Sequence, residues 1–289
     1  MNRRGFFKLC GVAAGSTALA ARSGRAAATA PRAETDPLGL LIDTTRCVGC
    51  NTCSEACAEA HDLPEPNTDE DVIKDTTPEQ WTVINLYEAD DEEVYVKRQC
   101  MHCLEPACVS ACLTEAMHKT EDGAVIWDED RCMGCRYCMV SCPFDIPKYE
   151  YGSNNPRVRK CVQCFERTAE GELPACADAC PEEAITFGRR SELLAEAHRR
   201  IAENPDDYVN HIYGEHEAGG TATMYLAAVP FEKLGFKNVG TQALPELTKE
   251  FLYAVPFLLA GVPAALLGMS RATSGNNHDD DFDDTEREG

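Results

Sequence analysis

Residues 132–143 read CMGCRYCMVSCP, and this stretch decides the fold. Its cysteines follow the spacing C-x2-C-x2-C-x3-C-P. The two-residue gap of CxxC lets a turning backbone point successive sulfur atoms at neighbouring irons of a [4Fe–4S] cluster. The fourth cysteine falls on the helix that follows, and proline ends the group because it has no backbone N–H. The stretch therefore predicts an iron–sulfur site.

Related groups occur three more times in the 289 residues, so the chain contains an internal repeat. We call them group one (47–57), group two (100–112), group three (132–142) and group four (161–180). Each begins with CxxC, has a third cysteine after a variable gap, and has a fourth after three more residues. The sixteen cysteines are Cys47, Cys50, Cys53, Cys57, Cys100, Cys103, Cys108, Cys112, Cys132, Cys135, Cys138, Cys142, Cys161, Cys164, Cys176 and Cys180. Because one cube needs four thiolates, the sequence predicts four [4Fe–4S] clusters.

Zinc is the competing chemistry, since CxxC pairs are also typical of zinc ribbons. Four groups that all keep the x3 spacing favour iron–sulfur clusters, and a zinc-stabilised interaction scaffold is the alternative from another functional class. Structural disulfides are disfavoured because adjacent CxxC loops have poor geometry for cross-linking. His61, His102 and His118 are predicted to have packing or solvent roles, because the groups already supply enough thiolates. No nucleophile–base pair or phosphate loop indicates catalysis, so no catalytic residue is predicted.

The surrounding sequence predicts an α+β fold. Each cysteine loop precedes a short helix, and Asp122-Gly123 predicts a tight hairpin that leads into group three. An acidic insertion at 64–96 contains a predicted strand at 81–87. Beyond group four, Ser191 is expected to cap a helix that stops before Pro205, and a strand is predicted at 224–229.

Both ends of the chain carry targeting signals. Residues 2–8, NRRGFFK, match a twin-arginine export signal, so 1–30 is predicted to be a signal peptide in which Cys10 is incidental. Residues 251–269 contain no charge and are long enough to span a bilayer, which predicts a transmembrane anchor at 250–270; burial against a partner subunit is the alternative. The tail at 271–289 is predicted to be acidic and disordered. A net charge of −22 argues against nucleic acid as a partner.

The cysteine groups resemble those of the four-cluster ferredoxin-like subunits of exported respiratory oxidoreductases. Finer stretches are similar to the iron–sulfur subunit of hydrogenase-2-type membrane-bound [NiFe] hydrogenases. These stretches are 97–103 (KRQCMHC), 134–140 (GCRYCMV), 147–149 (PKY), 211–215 (HIYGE) and 229–232 (VPFE). The family usually has proline after the second group, where this chain has Leu113.

The resemblance implies tandem modules over 38–240, each like a bacterial ferredoxin with two [4Fe–4S] clusters, in which groups one and four form one module and groups two and three the other. It also implies four ligand sets, in each of which the fourth cysteine comes from the partner group. The sets are Cys47, Cys50, Cys53 and Cys180; Cys161, Cys164, Cys176 and Cys57; Cys100, Cys103, Cys108 and Cys142; and Cys132, Cys135, Cys138 and Cys112.

The implied function is transfer of electrons from the small and large subunits of a [NiFe] hydrogenase to a multi-spanning quinone-reactive membrane subunit. The implied location is the periplasmic side of the cytoplasmic membrane, with the C-terminal helix in the bilayer. The alternative is the same role beside a molybdenum- or tungsten-pterin subunit, as in formate dehydrogenases and in dimethyl sulfoxide, polysulfide or tetrathionate reductases.

Overall fold

The structure is a computed structural model that describes residues 36–90 and 92–274. The predicted signal peptide at 1–30 lies outside the described residues, and so does the predicted tail beyond residue 274. The residues up to Leu247 form one compact unit, and the chain from Thr248 belongs to a second.

A three-stranded sheet lies at the centre of the first unit. Its middle strand, β1 (Leu38–Asp43), pairs antiparallel with β8 (Ile185–Arg189) and parallel with β9 (Thr223–Leu226). Leu40, Leu41 and Ile42 are all buried, so β1 is covered on both faces. The strand predicted at 224–229 is β9, which starts one residue earlier and ends three residues earlier.

Three two-stranded hairpins surround this sheet. They are β2 (Val83–Ala89) with β3 (Glu92–Arg98), β4 (Met117–Lys119) with β5 (Val125–Trp127), and β6 (Lys148–Tyr149) with β7 (Val158–Arg159). The hairpin predicted at Asp122-Gly123 joins β4 to β5, and Gly123 has a φ of 101° that suits glycine. The strand predicted at 81–87 is β2, whereas its partner β3 was not predicted.

Short helices follow the cysteine loops, as the spacing predicts. They are α1 (Thr52–Ala60), α2 (Ala107–Ser110), α3 (Tyr137–Ser141), α4 (Phe165–Ala169) and α5 (Ala175–Asp178). Helix α1 of group one packs against α5 of group four, and α2 of group two packs against α3 of group three. Groups that are far apart in sequence are therefore neighbours in space.

Helix α6 (Arg190–Glu203) covers one face of β1 through Leu193, Ala197 and Ile201. It ends before Pro205, as predicted. The expectation that Ser191 caps it is wrong, because the helix already begins at Arg190. The Ser191 hydroxyl instead donates to Asp36 Oδ2 at 2.6 Å, which ties the helix start to the residues before β1.

A buried ion pair connects α6 to the end of β1, just before group one. The carboxylate of Asp43, which is fully buried, accepts hydrogen bonds from Arg200 Nη1 at 3.0 Å and from the Tyr208 hydroxyl at 2.9 Å. The Thr45 hydroxyl donates to the same carboxylate at 2.6 Å. Because Asp43 ends β1 just before the first cysteine, this network positions the first cysteine loop.

Two short 3-10 turns, Glu217–Gly219 and Phe231–Leu234, precede the last helix, α7 (Leu244–Ser274). Among the described residues, the segment Leu244–Thr273 is the one helix long and apolar enough to cross a membrane. It extends beyond the predicted span at both ends, and apolar side chains such as Phe251, Phe257 and Leu267 are exposed.

We expect Asp43→Ala to lower the free energy of unfolding by about 3 kcal/mol, because it removes the fully buried carboxylate that pairs with Arg200 and leaves that guanidinium with Glu196 alone. Thermal unfolding followed by circular dichroism checks this. The control is Glu203→Ala, which removes the partner of Arg199 in an exposed ion pair and should unfold like the wild type. Equal stability of the two variants would contradict the role assigned to the Asp43 network.

Candidate functional site

The four CxxC loops share one backbone feature that the spacing does not reveal. The residue before the second cysteine has a left-handed conformation in every group. The φ values are 71° for Gly49, 45° for His102, 71° for Gly134 and 58° for Gln163. Successive N–H groups around such a residue form a concave surface that favours negative charge. A left-handed conformation at His102 and Gln163, which are not glycine, is the kind of strain that is typical of functional sites.

All sixteen cysteines of the four groups are free thiols. Most are buried or partly buried, and two are exposed, Cys50 in group one and Cys135 in group three. Buried free thiols without disulfide partners, in closely spaced loops, are the donor set that an iron–sulfur cluster requires.

The structure brings the last cysteine of group four to the first three cysteines of group one. A cavity is lined by Cys47, Cys50, Cys53 and Cys180 together with apolar side chains. Cys180 also interacts electrostatically with Cys47 and Cys53. In the complementary position, Cys57 of group one interacts electrostatically with group four cysteines. These are Cys161, Cys164 and Cys176.

Groups two and three exchange their last cysteines in the same way. Cys142 of group three interacts electrostatically with Cys100, Cys103 and Cys108 of group two. Cys112 of group two interacts with Cys138, which has Cys132 and Cys135 beside it. The four neighbourhoods correspond to the four ligand sets that the family resemblance implies, while the iron ligation itself stays a prediction.

Burial controls the protonation of these thiols. It raises the pKa of Cys53, Cys57 and Cys108 to about 12 and that of Cys138 to about 11. At Cys112, burial also acts to raise the pKa, but hydrogen bonds from the backbone of Met117 and from Thr114 outweigh it and lower the pKa. Iron binds thiolates, so loading of these buried sites must displace protons.

Hydrogen-bond donors approach several sulfur atoms. The Met117 N–H lies 3.3 Å from Cys112 Sγ, and the Gln163 N–H lies 3.4 Å from Cys161 Sγ. His61 Nε2 lies 3.4 Å from Cys164 Sγ, with its ring against Trp81. The prediction of a packing or solvent role for His61 therefore missed a sulfur contact.

His102 is fully buried, and burial lowers its pKa well below the ordinary value. Its Nδ1 accepts the Val125 N–H at 2.9 Å, so a neutral ring carries its proton on Nε2. Within the described part of the chain, this Nε2 is buried and has no hydrogen-bond partner. An orphaned donor inside a cysteine loop fits a bound cluster whose sulfides accept hydrogen bonds.

Across residues 36–90 and 92–274, no three His, Cys, Asp or Glu side chains are close enough together to hold a single metal ion. A cube keeps its thiolates farther apart than one tetrahedral ion does, because irons and sulfides lie between them. The residues present therefore fit [4Fe–4S] clusters in composition, in grouping and in the donors that face the sulfurs.

The sequence analysis missed two buried cations beside the cysteines. Lys97 and Lys160 are only 1% and 2% exposed. Each lies at the N-terminal edge of a cysteine group, and that closeness is the only signal in the sequence. Lysine is almost never fully buried without a partner, so the burial of both side chains requires an explanation.

Comparisons with known proteins agree with this geometry. The model of the 4Fe-4S dicluster domain family matches residues 92–190. A protein of Nitratidesulfovibrio vulgaris is 46% identical over 93% of this chain and 76% of its own length. The "Hydrogenase-2 operon protein HybA" of Escherichia coli O157:H7 is 36% identical over 99% of this chain and 100% of its own length. The "Formate dehydrogenase-O iron-sulfur subunit" of Escherichia coli is 36% identical, over 64% of this chain and 65% of its own length.

We expect Gly49→Val to reduce the iron content by about four atoms per chain, the content of one cube. A β-branched side chain is strongly disfavoured at a φ of 71°, and the added Cβ would also overlap the Tyr95 ring. His102 and Gln163 show that a side chain alone is tolerated at the equivalent positions.

The control is Gly152→Val, because nothing lies within 4 Å of a Cβ at that residue. Iron analysis of both purified variants checks the prediction. Full iron content in Gly49→Val would contradict the need for a left-handed residue in the loop.

Proposed function

Since the chain belongs to the family of iron–sulfur subunits that includes the hydrogenase-2 operon protein HybA, we propose that it carries electrons between a [NiFe] hydrogenase module and a quinone-reactive membrane subunit. The chain is an electron-transfer subunit with a mixed α/β, ferredoxin-like fold, and its cofactors are four [4Fe–4S] clusters. The observation that carries the proposal is the match to HybA over the full length of both proteins.

The proposed ligand sets pair group one with group four and group two with group three. Cys180 completes the set of Cys47, Cys50 and Cys53, and Cys57 completes the set of group four. Cys142 and Cys112 are exchanged in the same way between groups two and three. The support is electrostatic contact between cysteines of the paired groups, together with the cavity lined by the whole first set.

We propose that the two pairs of groups are tandem modules of the bacterial ferredoxin type within 38–240. The packing of α1 against α5 supports one module, and the packing of α2 against α3 supports the other. In such a module the fourth cysteine leaves its own loop and ligates the second cluster. This exchange keeps the two clusters of a module close to each other.

Each cluster accepts and donates one electron at a time when it is bound. With four thiolates per cube, every iron is fully ligated by the protein, so this chain offers no iron position to a substrate. The protein residues hold the cubes, cover them with apolar side chains and donate hydrogen bonds to their sulfurs. Bond-making chemistry therefore belongs to the partner subunits.

Electrons must enter and leave where a cluster approaches the surface. Cys50 and Cys135 are the exposed cysteines, and they belong to different proposed modules. Apolar side chains two residues before each of them are exposed, namely Val48 at 56% and Met133 at 64%. These two surfaces are the proposed contacts with the two electron-transfer partners.

The proposed location is the periplasmic side of the cytoplasmic membrane. A twin-arginine signal at 1–30 suits a protein whose clusters are inserted before export, and helix α7 supplies the segment proposed as the anchor at 250–270. The tail at 271–289 would then follow the anchor.

A second candidate is the same role beside a molybdenum or tungsten catalytic subunit. The similarity to the iron–sulfur subunit of formate dehydrogenase-O favours it, although that match covers only 64% of this chain. The cluster chemistry is identical in both cases, so the metal of the catalytic partner separates them.

We expect Cys57→Ala and Cys53→Ala to disturb different clusters, although both cysteines lie on α1. Cys53→Ala should change the electron paramagnetic resonance signal that Cys47→Ala also changes. Cys57→Ala should change the signal that Cys161→Ala changes. If Cys57→Ala and Cys53→Ala alter the same signal, the exchange of cysteines between groups is wrong.

We expect this chain to hold about sixteen irons, in a detergent-extracted membrane complex that also contains nickel and the further iron of the [NiFe] module. Elemental analysis for iron, nickel, molybdenum and tungsten, with spectra of the reduced state, checks this. The same iron content with molybdenum or tungsten would replace the hydrogenase partner by the second candidate. Zinc in place of iron would refute the electron-transfer function itself.

A further inference from the structure

Lys97 is one of the largest fully buried side chains of the protein, with an exposed fraction of 1%. Its ammonium group donates a hydrogen bond to Gln99 Oε1, which is a neutral acceptor. Among the described residues, no ion pair with a carboxylate involves it. Burial of such a charge costs several kcal/mol unless another negative group is close.

The proposed cluster sites of groups one and four can supply this negative charge. Lys97 lines the cavity that is bounded by Cys47, Cys50, Cys53 and Cys180. It interacts electrostatically with Cys53, and also with Cys176 and Cys161 of the second ligand set.

A cation at this place acts differently on the two redox states of a cluster. Reduction adds one electron, so the reduced cube and its thiolates carry one more negative charge than the oxidised cube. A fixed positive charge stabilises the more negative state more strongly, and the low dielectric of a buried site strengthens the effect. Water and salt screen a buried pair far less than an exposed one.

We propose that Lys97 is a buried tuning cation that raises the reduction potential of the cluster held by Cys47, Cys50, Cys53 and Cys180. This inference rests on the proposed ligand sets. The potential of the group four cluster is raised as well, because Lys97 also interacts electrostatically with Cys176 and Cys161. Lys97 acts through the cluster, because it sets the reduction potential at which the cluster takes up an electron and contacts no substrate itself.

Lys160 offers a matched comparison within the same chain. It is equally buried, and its ammonium group donates to the backbone carbonyls of Val125 and Cys161. Its charge acts on Cys108 of group two. Lys97 therefore acts on the first ligand set and Lys160 acts on group two, so their removal should differ in its effect on those two clusters.

The test is a potentiometric titration of the purified complex, followed by electron paramagnetic resonance, for Lys97→Met, Lys160→Met and the wild type. The signal of the first set is identified by its change in Cys47→Ala, and that of group two by its change in Cys100→Ala. We expect Lys97→Met to lower the reduced-to-oxidised ratio of the first cluster at least tenfold at a fixed potential, a shift of about 59 mV for one electron. Lys160→Met should shift the group two cluster instead. Lys233→Met, which removes a half-exposed lysine paired with Asp90, should shift neither.

Iron content separates this inference from the proposed function. About sixteen irons assigned to this chain, and four signals that respond to cysteine substitutions in its four groups, uphold the four-cluster site whatever the lysine variants do. An unchanged potential in iron-replete Lys97→Met would overturn the tuning role, and so would an equal shift in Lys233→Met. If Lys97→Met loses its irons, Lys97→Gln provides the second variant. Loss of iron in both would assign Lys97 to assembly and overturn the proposal.

Discussion

The rest of the structure depends on one requirement, that four thiols from two distant parts of the chain meet around each cluster position. In the proposed ligand sets the last cysteine of each group belongs to the partner group, so the set of group one is completed by Cys180, more than a hundred residues after Cys57. The short helices that carry these cysteines pack in the same pairs. Elements between the groups, including the β2–β3 hairpin and the central sheet, therefore serve to hold distant loops together. Because each loop must turn sharply between its first two cysteines, the left-handed residue is found in all four, even where that residue is not glycine.

A core of this kind is costly without its cofactors. Buried thiols resist ionisation, as the raised pKa values of Cys53, Cys57 and Cys108 show, and the buried ammonium groups of Lys97 and Lys160 require negative charge nearby. Bound cubes offset both costs, because iron replaces the thiol protons and the anionic cube compensates the lysines. Folding and cluster binding are thus expected to be coupled, which agrees with the proposed export of this chain after it has folded.

Local patterns in the sequence predicted the cysteine loops, their short helices, the hairpin at Asp122-Gly123 and the apolar C-terminal helix. These features follow from residues within a few positions of one another. Strand β3 was missed because its side chains, from Glu92 to Arg98, are mostly polar, and only its pairing with β2 makes it a strand. Ser191 was predicted to cap the helix, but its hydroxyl donates a hydrogen bond to Asp36, which is distant in sequence. The strand at 224–229 was predicted, but local pattern did not show that β9 lies in the central sheet or that Tyr213, Tyr225 and Phe236 pack together in the core.

Lys97 shows most clearly that local sequence patterns do not reveal every residue with a proposed functional role. Within the stretch KRQCMHC, its charge suggests an exposed side chain at the end of a polar strand, and Arg98 beside it is indeed partly exposed and paired with Asp75. Strand alternation places Lys97 on the face of β3 opposite Val96 and Arg98, and both faces are covered there, since Val96 is buried as well. Lys97 lies beside cysteines of groups one and four, and neither group is near residue 97 in the sequence. The cysteines of the four groups can therefore be read from spacing, whereas the charged side chains that lie beside them depend on the assembled fold.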